Sequence, residues 1–308
     1  MSYSGSSQSA ESVPLLGAAA PATRDTVGFA TALVQLTKPS ITRMVLATTW
    51  CGAAIAPGPV RYGKLAWAVL GTTLIVGAAN ALNMYLEGDV DALMARTRRR
   101  PIPSGRIAPE VALWFGLLLA FVGLPVLDFL VNPVTAFIGG IALLSYVLAY
   151  TPMKRLSPFA VWIGAVPGAA PPLMGWTAMT GTLSAAAMSL FLVLFVWQVP
   201  HFHAIAIFRS EEYRRAGLKV LPVTRGLAHT KVAIAVLLAV QLAVSALPAL
   251  AGLGGTAYVV VASVFGLAYF GWGLAGLRPS ADARWARSLF FASMPYLLGL
   301  FVTLVLGS

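Results

Sequence analysis

Long apolar runs dominate this chain and leave it few folds to choose from. A helix that crosses the hydrocarbon of a bilayer needs roughly 20 mostly apolar residues. Runs of that kind recur at about 41–59, 65–86, 110–127, 133–152, 158–179, 185–207, 231–250, 256–276 and 287–306. Only 10% of the residues are charged, against about a quarter in a soluble domain. The solvent is therefore lipid. Short loops between the runs leave little room for a separate soluble domain. The sequence predicts an all-α polytopic membrane bundle of nine transmembrane helices, with residues 36–308 as one domain.

The formal net charge of +11 would suggest a nucleic-acid partner in a soluble protein, but its placement argues otherwise. The N-terminal segment and the loops after the second, fourth, sixth and eighth runs share one side. Of the 21 Lys and Arg, only Arg61 and Lys64 fall on the other side. Cytoplasmic loops carry such an excess, so the N-terminus is expected in the cytoplasm and the C-terminus on the opposite side. The basic surplus reads as topology, and no nucleic acid is implied. Cys51 stands alone in an apolar run, which excludes a disulfide framework and a thiolate metal site. Residues 1–37 are rich in Ser, Ala and Gly and resemble neither a cleaved signal nor an Arg-rich transit sequence. Residues 1–35 are expected as a disordered cytoplasmic tail, and the chain is expected in a bacterial inner membrane.

Acidic residues collect at the cytoplasmic ends of two runs. The second run leads into Asn80-Ala-Leu-Asn83-Met-Tyr-Leu-Glu87-Gly-Asp89-Val-Asp91, and the sixth into Trp197-Gln198-Val-Pro-His201-Phe-His203 and then Arg209-Ser-Glu211-Glu212-Tyr213. Their separation by four helices hints at an old internal duplication. Asn83, Glu87 and Asp91 are spaced i, i+4, i+8 and stack along one helical face. Glu87 and Asp91 repel at i, i+4, and none of Glu87, Asp89 and Asp91 has a Lys or Arg three or four positions away. Mg²⁺ fits that demand, because it takes oxygen ligands and is held by one or two carboxylates plus substrate phosphates. Arg96, Arg98, Arg99, Arg100 and Arg106 follow in a loop broken by Pro101, Pro103 and Gly105, and guanidiniums suit phosphate oxygens. Local chemistry favours a metal and diphosphate site here. The rival is an ordinary positive-inside arginine loop beside an acidic helix end.

The second cluster demands less. Glu211 can pair with Arg214 or Arg215, and Glu212 with Arg209 or Arg215, at helical spacing. His201 and His203 point about 200° apart on a helix, so they cannot share one metal. A histidine in a spanning segment is a functional hypothesis. Interhelical hydrogen bonding is an equal rival for His201 and the better reading for His203. Tyr146 and Tyr150 read as an interfacial aromatic belt, and Lys38-Pro39 likewise as an interface feature. Pro167, Gly168, Pro171, Pro172 and Gly175 mark a broken fifth helix, tolerated in membranes where it lines a cavity or packs on protein, which favours an internal chamber.

The stretch Asn83 to Ile107, with Asp89-Val-Asp91…Arg96-Thr-Arg-Arg-Arg-Pro…Gly105-Arg106-Ile107, resembles the first aspartate-rich motif of the UbiA-type intramembrane prenyltransferases. Within that superfamily it is most similar to the branch that farnesylates haem. Leu36-Thr-Lys-Pro-Ser-Ile-Thr, Tyr150-Thr-Pro-Met-Lys154-Arg155, Gly168-Ala-Ala-Pro-Pro-Leu-Met-Gly175-Trp176 and Trp197-Gln-Val-Pro-His201-Phe…Glu212-Tyr213 match the same branch in order.

The resemblance implies nine helices around a central chamber open to the cytoplasmic side. It also implies Mg²⁺-dependent transfer of farnesyl from farnesyl diphosphate to a vinyl group of haem b. By the resemblance, Asn83, Glu87 and Asp91 hold Mg²⁺ and diphosphate, with Asp89 behind them. Glu87 stands where Asp is usual, adding one methylene at the same charge. Arg96, Arg99, Lys154 and Arg155 become candidates for diphosphate or haem propionates. Tyr150, Trp197, Gln198, His203, Glu212 and Tyr213 become further substrate contacts. His201 would steer haem, as an iron ligand or by a hydrogen bond, or relay a proton. Haem A synthase or terminal-oxidase assembly proteins are the partners such a branch suggests. The rivals are a UbiA-type enzyme acting on a quinone precursor, a transporter, and an inactive assembly factor. The Pro-His-Phe of the sixth run disfavours the first, and the one-sided placement of charge disfavours the second.

Overall fold

The computed structural model describes residues 26–308, and among them the chain is helical with no strand. Helices α1 (Thr26–Leu36), α2 (Pro39–Ile55), α3 (Tyr62–Leu86) and α4 (Gly88–Leu93) come first. They are followed by α5 (Pro109–Leu130) and α6 (Pro133–Leu144), the latter prolonged by a π-helical turn, Ser145–Tyr150, and by α7 (Thr151–Met153). Then come α8 (Ala160–Thr180), α9 (Ala185–Phe208), α10 (Ser210–Arg215), α11 (Leu221–Thr224), α12 (Gly226–Val244), α13 (Leu247–Leu250), α14 (Gly255–Ala275) and α15 (Ala283–Leu306).

Seven of these segments are long and apolar enough to cross a membrane, so the chain is a multi-pass membrane protein. The first and fifth expected spans are also helices, α2 and α8, but fall outside the seven. With 17 residues, α2 is just short, and the prolines and glycines of α8 dilute its apolar content. Lipid is the solvent of the outer helices. Trp114, Phe121 and Phe129 of α5 stand 69%, 78% and 81% exposed, which no water-facing helix would sustain over such length.

Small residues set the interior contacts, as expected where lipid removes a hydrophobic drive between helices. A Cβ added at Gly52 would lie 1.9 Å from the Pro172 carbonyl oxygen, and one at Gly175 1.8 Å from that of Thr49. Backbone therefore meets backbone where α2 crosses α8. Gly116 and Gly123 of α5 instead make room for side chains of α3, those of Leu82 at the first and of Leu74 and Ile75 at the second.

Two expectations change. The proline-rich fifth helix is not broken: α8 runs uninterrupted through Pro167, Pro171 and Pro172. Its middle, Ala169 to Met179, is buried on all sides, and neighbours such as Gln198, which donates to the Ala165 carbonyl at 3.2 Å, supply polar partners. The expected tail is also shorter. Residues 26–35 belong to α1, because Ala32 and Leu36 are fully buried against Ala81, Met84, Ile107 and Ala112. The rest of that tail, residues 1–25, lies outside the described residues.

Candidate functional site

The acidic run of α3 builds one wall of the site. At Glu87 the backbone turns (φ −112°, ψ 12°), ending α3 and starting α4. The bonds Glu87 N–H to Asn83 O and Asp91 N–H to Glu87 O carry the helical register across that turn. Asn83, Glu87 and Asp91 thus stay on one face, at 1%, 5% and 1% exposure. Asn83 Nδ2 donates to Glu87 Oε2 at 2.8 Å and to Thr151 Oγ1 at 3.1 Å.

The cations missing from the helix come from elsewhere in the fold. Lys154 Nζ lies 2.6 Å from Glu87 Oε1, and Arg100 Nη1 2.6 Å from Asp91 Oδ2. Lys38 Nζ donates to Asn83 Oδ1 at 2.8 Å. Lys38 is the one non-glycine residue with positive φ among those described, at 49°, a strained geometry found at ligand clamps. Burial, and then the charges of Arg100 and Lys154, lower its amine to about 7. Asp89 turns outward and forms a bidentate pair with Arg155, at 2.6 and 2.8 Å.

The π-helical turn places Tyr146 and Tyr150 one above the other, ring centroids 5.4 Å apart, and Lys154 Nζ lies 4.8 Å over the Tyr150 ring. Such turns occur mostly at functional sites. Both tyrosines line a cavity of about 630 Å³ together with Lys38, Asn83, Glu87 and Asp91. Both are cavity residues, not only belt residues. Among the described residues, seven basic side chains line this cavity against Glu87 and Asp91 as its only acids. A polyanion is the ligand that this balance suits. Away from the charges the walls are aliphatic on one side (Val45, Ile75, Val76, Leu143) and aromatic on the other (Phe202, Phe208, Phe290, Phe291).

The structure brings Arg96, Gln198, His203 and Tyr213 into the cavity lining, and leaves Arg99, Trp197, His201 and Glu212 off it. Arg99 is exposed, and its carbonyl accepts from Arg106. His201 Nδ1 lies 2.6 Å from Ser293 Oγ, and its ring stacks on Trp197 and tilts against Phe290, both at 4.6 Å. His201 therefore stands behind Phe290. His203 lines the cavity and is buried, at 6% exposure. Glu211 pairs with Arg214 and Arg215 on its own helix. Glu212 accepts from Arg209 and from the Arg96 backbone N–H, tying α10 to the arginine loop. Spacing alone did not single out Lys219, Arg287 or Phe290 as cavity residues, and it treated Arg100 only as part of the loop.

The oxygen atoms of Asn83, Glu87 and Asp91 are a hard-cation donor set. Among the described residues no group of three or more His, Cys, Asp or Glu is placed to hold a metal ion. Two carboxylates and an amide fit an ion that takes its remaining ligands from phosphate and water. Lys154 and Arg100, at 24% and 21% side-chain exposure, are long enough to turn from these carboxylates toward phosphate oxygens.

A profile of the UbiA prenyltransferase family matches residues 45–294, and the chain belongs to that family. It is a prenyltransferase. Protoheme IX farnesyltransferase of Sorangium cellulosum (strain So ce56) is 51% identical over 256 residues, covering 83% of this chain and 91% of that protein. Protoheme IX farnesyltransferase of Anaeromyxobacter sp. (strain Fw109-5) is 44% identical over 291 residues, covering 94% and 98%. Among solved structures, one concerned with digeranylgeranylglyceryl phosphate synthase superposes with a TM-score of 0.79 at 17% identity, covering 91% of this chain and 98% of that one. A UbiA homolog from Archaeoglobus fulgidus bound to DMAPP and Mg²⁺ superposes with a TM-score of 0.64 at 16% identity, covering 88% and 98%. At these identities the two structures establish the fold alone.

Proposed function

We propose that this cavity transfers the farnesyl group of farnesyl diphosphate to a vinyl group of haem b, in a reaction that also requires Mg²⁺. The carrying observation is that Asn83, Glu87 and Asp91 share one cavity wall with Lys38, Arg100 and Lys154. Oxygen donors for a hard cation and donors for phosphate thus meet at one end of an apolar chamber. The curated relatives' shared name supports this choice of donor and acceptor.

Mg²⁺, held by Asn83, Glu87 and Asp91, would supply Lewis-acid neutralisation of the diphosphate. Lys38, Arg100 and Lys154 bind the phosphate oxygens and stabilise the charge that grows there as the C1–O bond breaks. Diphosphate leaves with the bonding pair. The vinyl π electrons form the new C–C bond to farnesyl C1. The cation left on the vinyl-derived carbon next to the macrocycle takes the oxygen of water, which then loses one proton. The product carries a hydroxyethylfarnesyl group. Tyr146 and Tyr150 face the allylic charge with their rings, and the aliphatic wall takes the prenyl chain and excludes water until capture.

In the membrane we place α2 and α8 as spans beside the other seven, for nine in all. The cavity mouth and N-terminus then face the cytoplasm, the C-terminus lies opposite, and the membrane is the bacterial inner membrane. The rule that cytoplasmic loops are basic supports this orientation. Residues 26–308 act as one domain, since α1 packs against α3 and α5.

Purified protein in detergent with haem b, farnesyl diphosphate and Mg²⁺ tests the reading. The expected product is a more apolar haem heavier by farnesyl plus hydroxyl, absent after chelation and in Asp91→Ala. Unmodified haem from folded protein that prenylates an aromatic quinone precursor instead would overturn the acceptor.

A further inference from the structure

The cavity has two unlike walls, and the aromatic one is unclaimed by the diphosphate chemistry. It is built by the end of α9 and the start of α15. Phe290 packs edge-on to Phe291 and Phe208, at centroid separations of 5.1 and 5.8 Å. Phe290 is fixed from behind. His201 lies against it at 4.6 Å, and Ser293, one turn along α15, accepts Trp197 Nε1 at its carbonyl at 2.9 Å and bonds His201 at its hydroxyl. The wall is therefore stiff, not a loose flank.

Two cations stand at its rim without acidic partners. Arg287 lies one turn before Phe290, its guanidinium 5.6 Å over the Phe208 ring, and has no ion pair among the described residues. Lys219, also exposed and without an ion pair among the described residues, lines the same cavity beside Lys154, whose carbonyl accepts the Lys219 N–H at 3.0 Å. Every acidic group of the cavity is already held by Lys154 or Arg100. A wall of edge-packed rings below, with cations unpaired among the described residues above, does not match an aliphatic chain. It matches a flat aromatic acceptor that carries carboxylates.

We propose that the α9–α15 wall is the acceptor subsite, with Phe290 against the plane of a porphyrin and Arg287 on a propionate. This rests on the haem reading above and adds where in the cavity haem lies. It also divides the chamber: the prenyl chain runs along α2, α3 and α6, the acceptor along α9 and α15, and the diphosphate cluster sits between them.

Haem b binding to the purified protein, without farnesyl diphosphate, is followed by the shift of the haem absorption band. Arg287→Gln, an exposed position, is expected to weaken binding about tenfold, the scale of one charge-assisted hydrogen bond. It should raise KM for haem and leave KM for farnesyl diphosphate unchanged. Haem dimethyl ester should bind the wild type as weakly as haem binds Arg287→Gln, with little further loss when both changes combine. Phe290→Leu keeps an apolar side chain, loses the flat face, and should weaken both porphyrins alike. If Arg287→Gln instead raises KM for farnesyl diphosphate and spares haem, the wall belongs to the donor and the proposal is overturned. If wild type neither binds nor modifies haem, the haem reading itself falls and takes this subsite with it.

Discussion

The ends of α3 and α9 are built alike and used differently. Each long helix turns at one residue into a six-residue helix, at Glu87 with φ −112° and ψ 12° and at Arg209 with φ −113° and ψ 11°. Each short helix carries two acids. In α4, Asp91 is buried and held by Arg100, and Glu87 at the turn is buried and held by Lys154 from 67 positions away. In α10, Glu211 is exposed and neutralised within its own helix, and Glu212 pairs with the residue at the turn. An acid that finds its cation locally stays at the surface. Glu87 and Asp91, which find none there, are met by Lys154 and Arg100 from outside their helices and lie buried in the cavity wall. The same backbone device builds a cavity wall, the proposed reaction centre, in one half and a brace in the other.

The sharpest way to break this contrast is to neutralise one acid of each half. Asp91→Asn is expected to lower farnesylated haem formation about 10²–10³-fold, the usual loss when one preorganised electrostatic contact is removed from a reaction centre. Product chromatography with mass detection measures it. A loss of less than tenfold would make the α3–α4 acids structural, like those of α10. Next in size comes Lys154→Met, which removes the cation shared by Glu87 and the cavity. KM for farnesyl diphosphate should rise about tenfold or more, since hydrogen bonds to charged groups contribute about 1.5–3 kcal/mol. Lys154→Arg should recover most of it. Steady-state kinetics at saturating haem would show either outcome.

Much of the fold was legible because lipid permits few alternatives. The span limits follow from apolar length, and Asn83, Glu87 and Asp91 stood out because their own helix leaves them unneutralised. The resemblance named Lys154 and Tyr150, but local spacing alone did not reveal what completes the site, for physical reasons. Lys38 reaches Asn83 across 45 positions and Lys154 reaches Glu87 across 67, separations at which local spacing says nothing. The π-helical turn under Tyr146 and Tyr150 has no pattern of its own. Leu36 and Ala32 carry too little periodicity to announce α1. Phe290 and Arg287 sit in an apolar helix whose facing partner, α9, only the fold reveals.

Glu212→Gln tests the brace at smaller scale. It keeps the acceptor for the Arg96 N–H and loses the charge that holds Arg209, so activity should fall only a few-fold and stability by about 0–1 kcal/mol. A fall as large as that of Asp91→Asn would mean that both halves bind the metal or diphosphate.

The smallest effect belongs to Asp89, and it separates two causes that the other acids confound. Asp89 finds its cation far away, in Arg155, as the buried acids do, yet its side chain is 66% exposed. The Arg155 guanidinium bonded to it holds its carboxyl below the usual carboxylate range. Such a pair adds stability above the ordinary carboxylate pKa and loses it as pH falls through the lowered value. Solvent screening keeps that contribution to about 0–1 kcal/mol. If burial makes the site, Asp89→Asn changes transfer activity by about twofold or less and flattens only a slight acid-side loss in thermal stability. If distant pairing itself makes the site, Asp89→Asn should approach Asp91→Asn, and Arg155→Gln should copy it. Transfer rates and thermal midpoints for these three variants, measured from pH 3 to pH 7, decide between them.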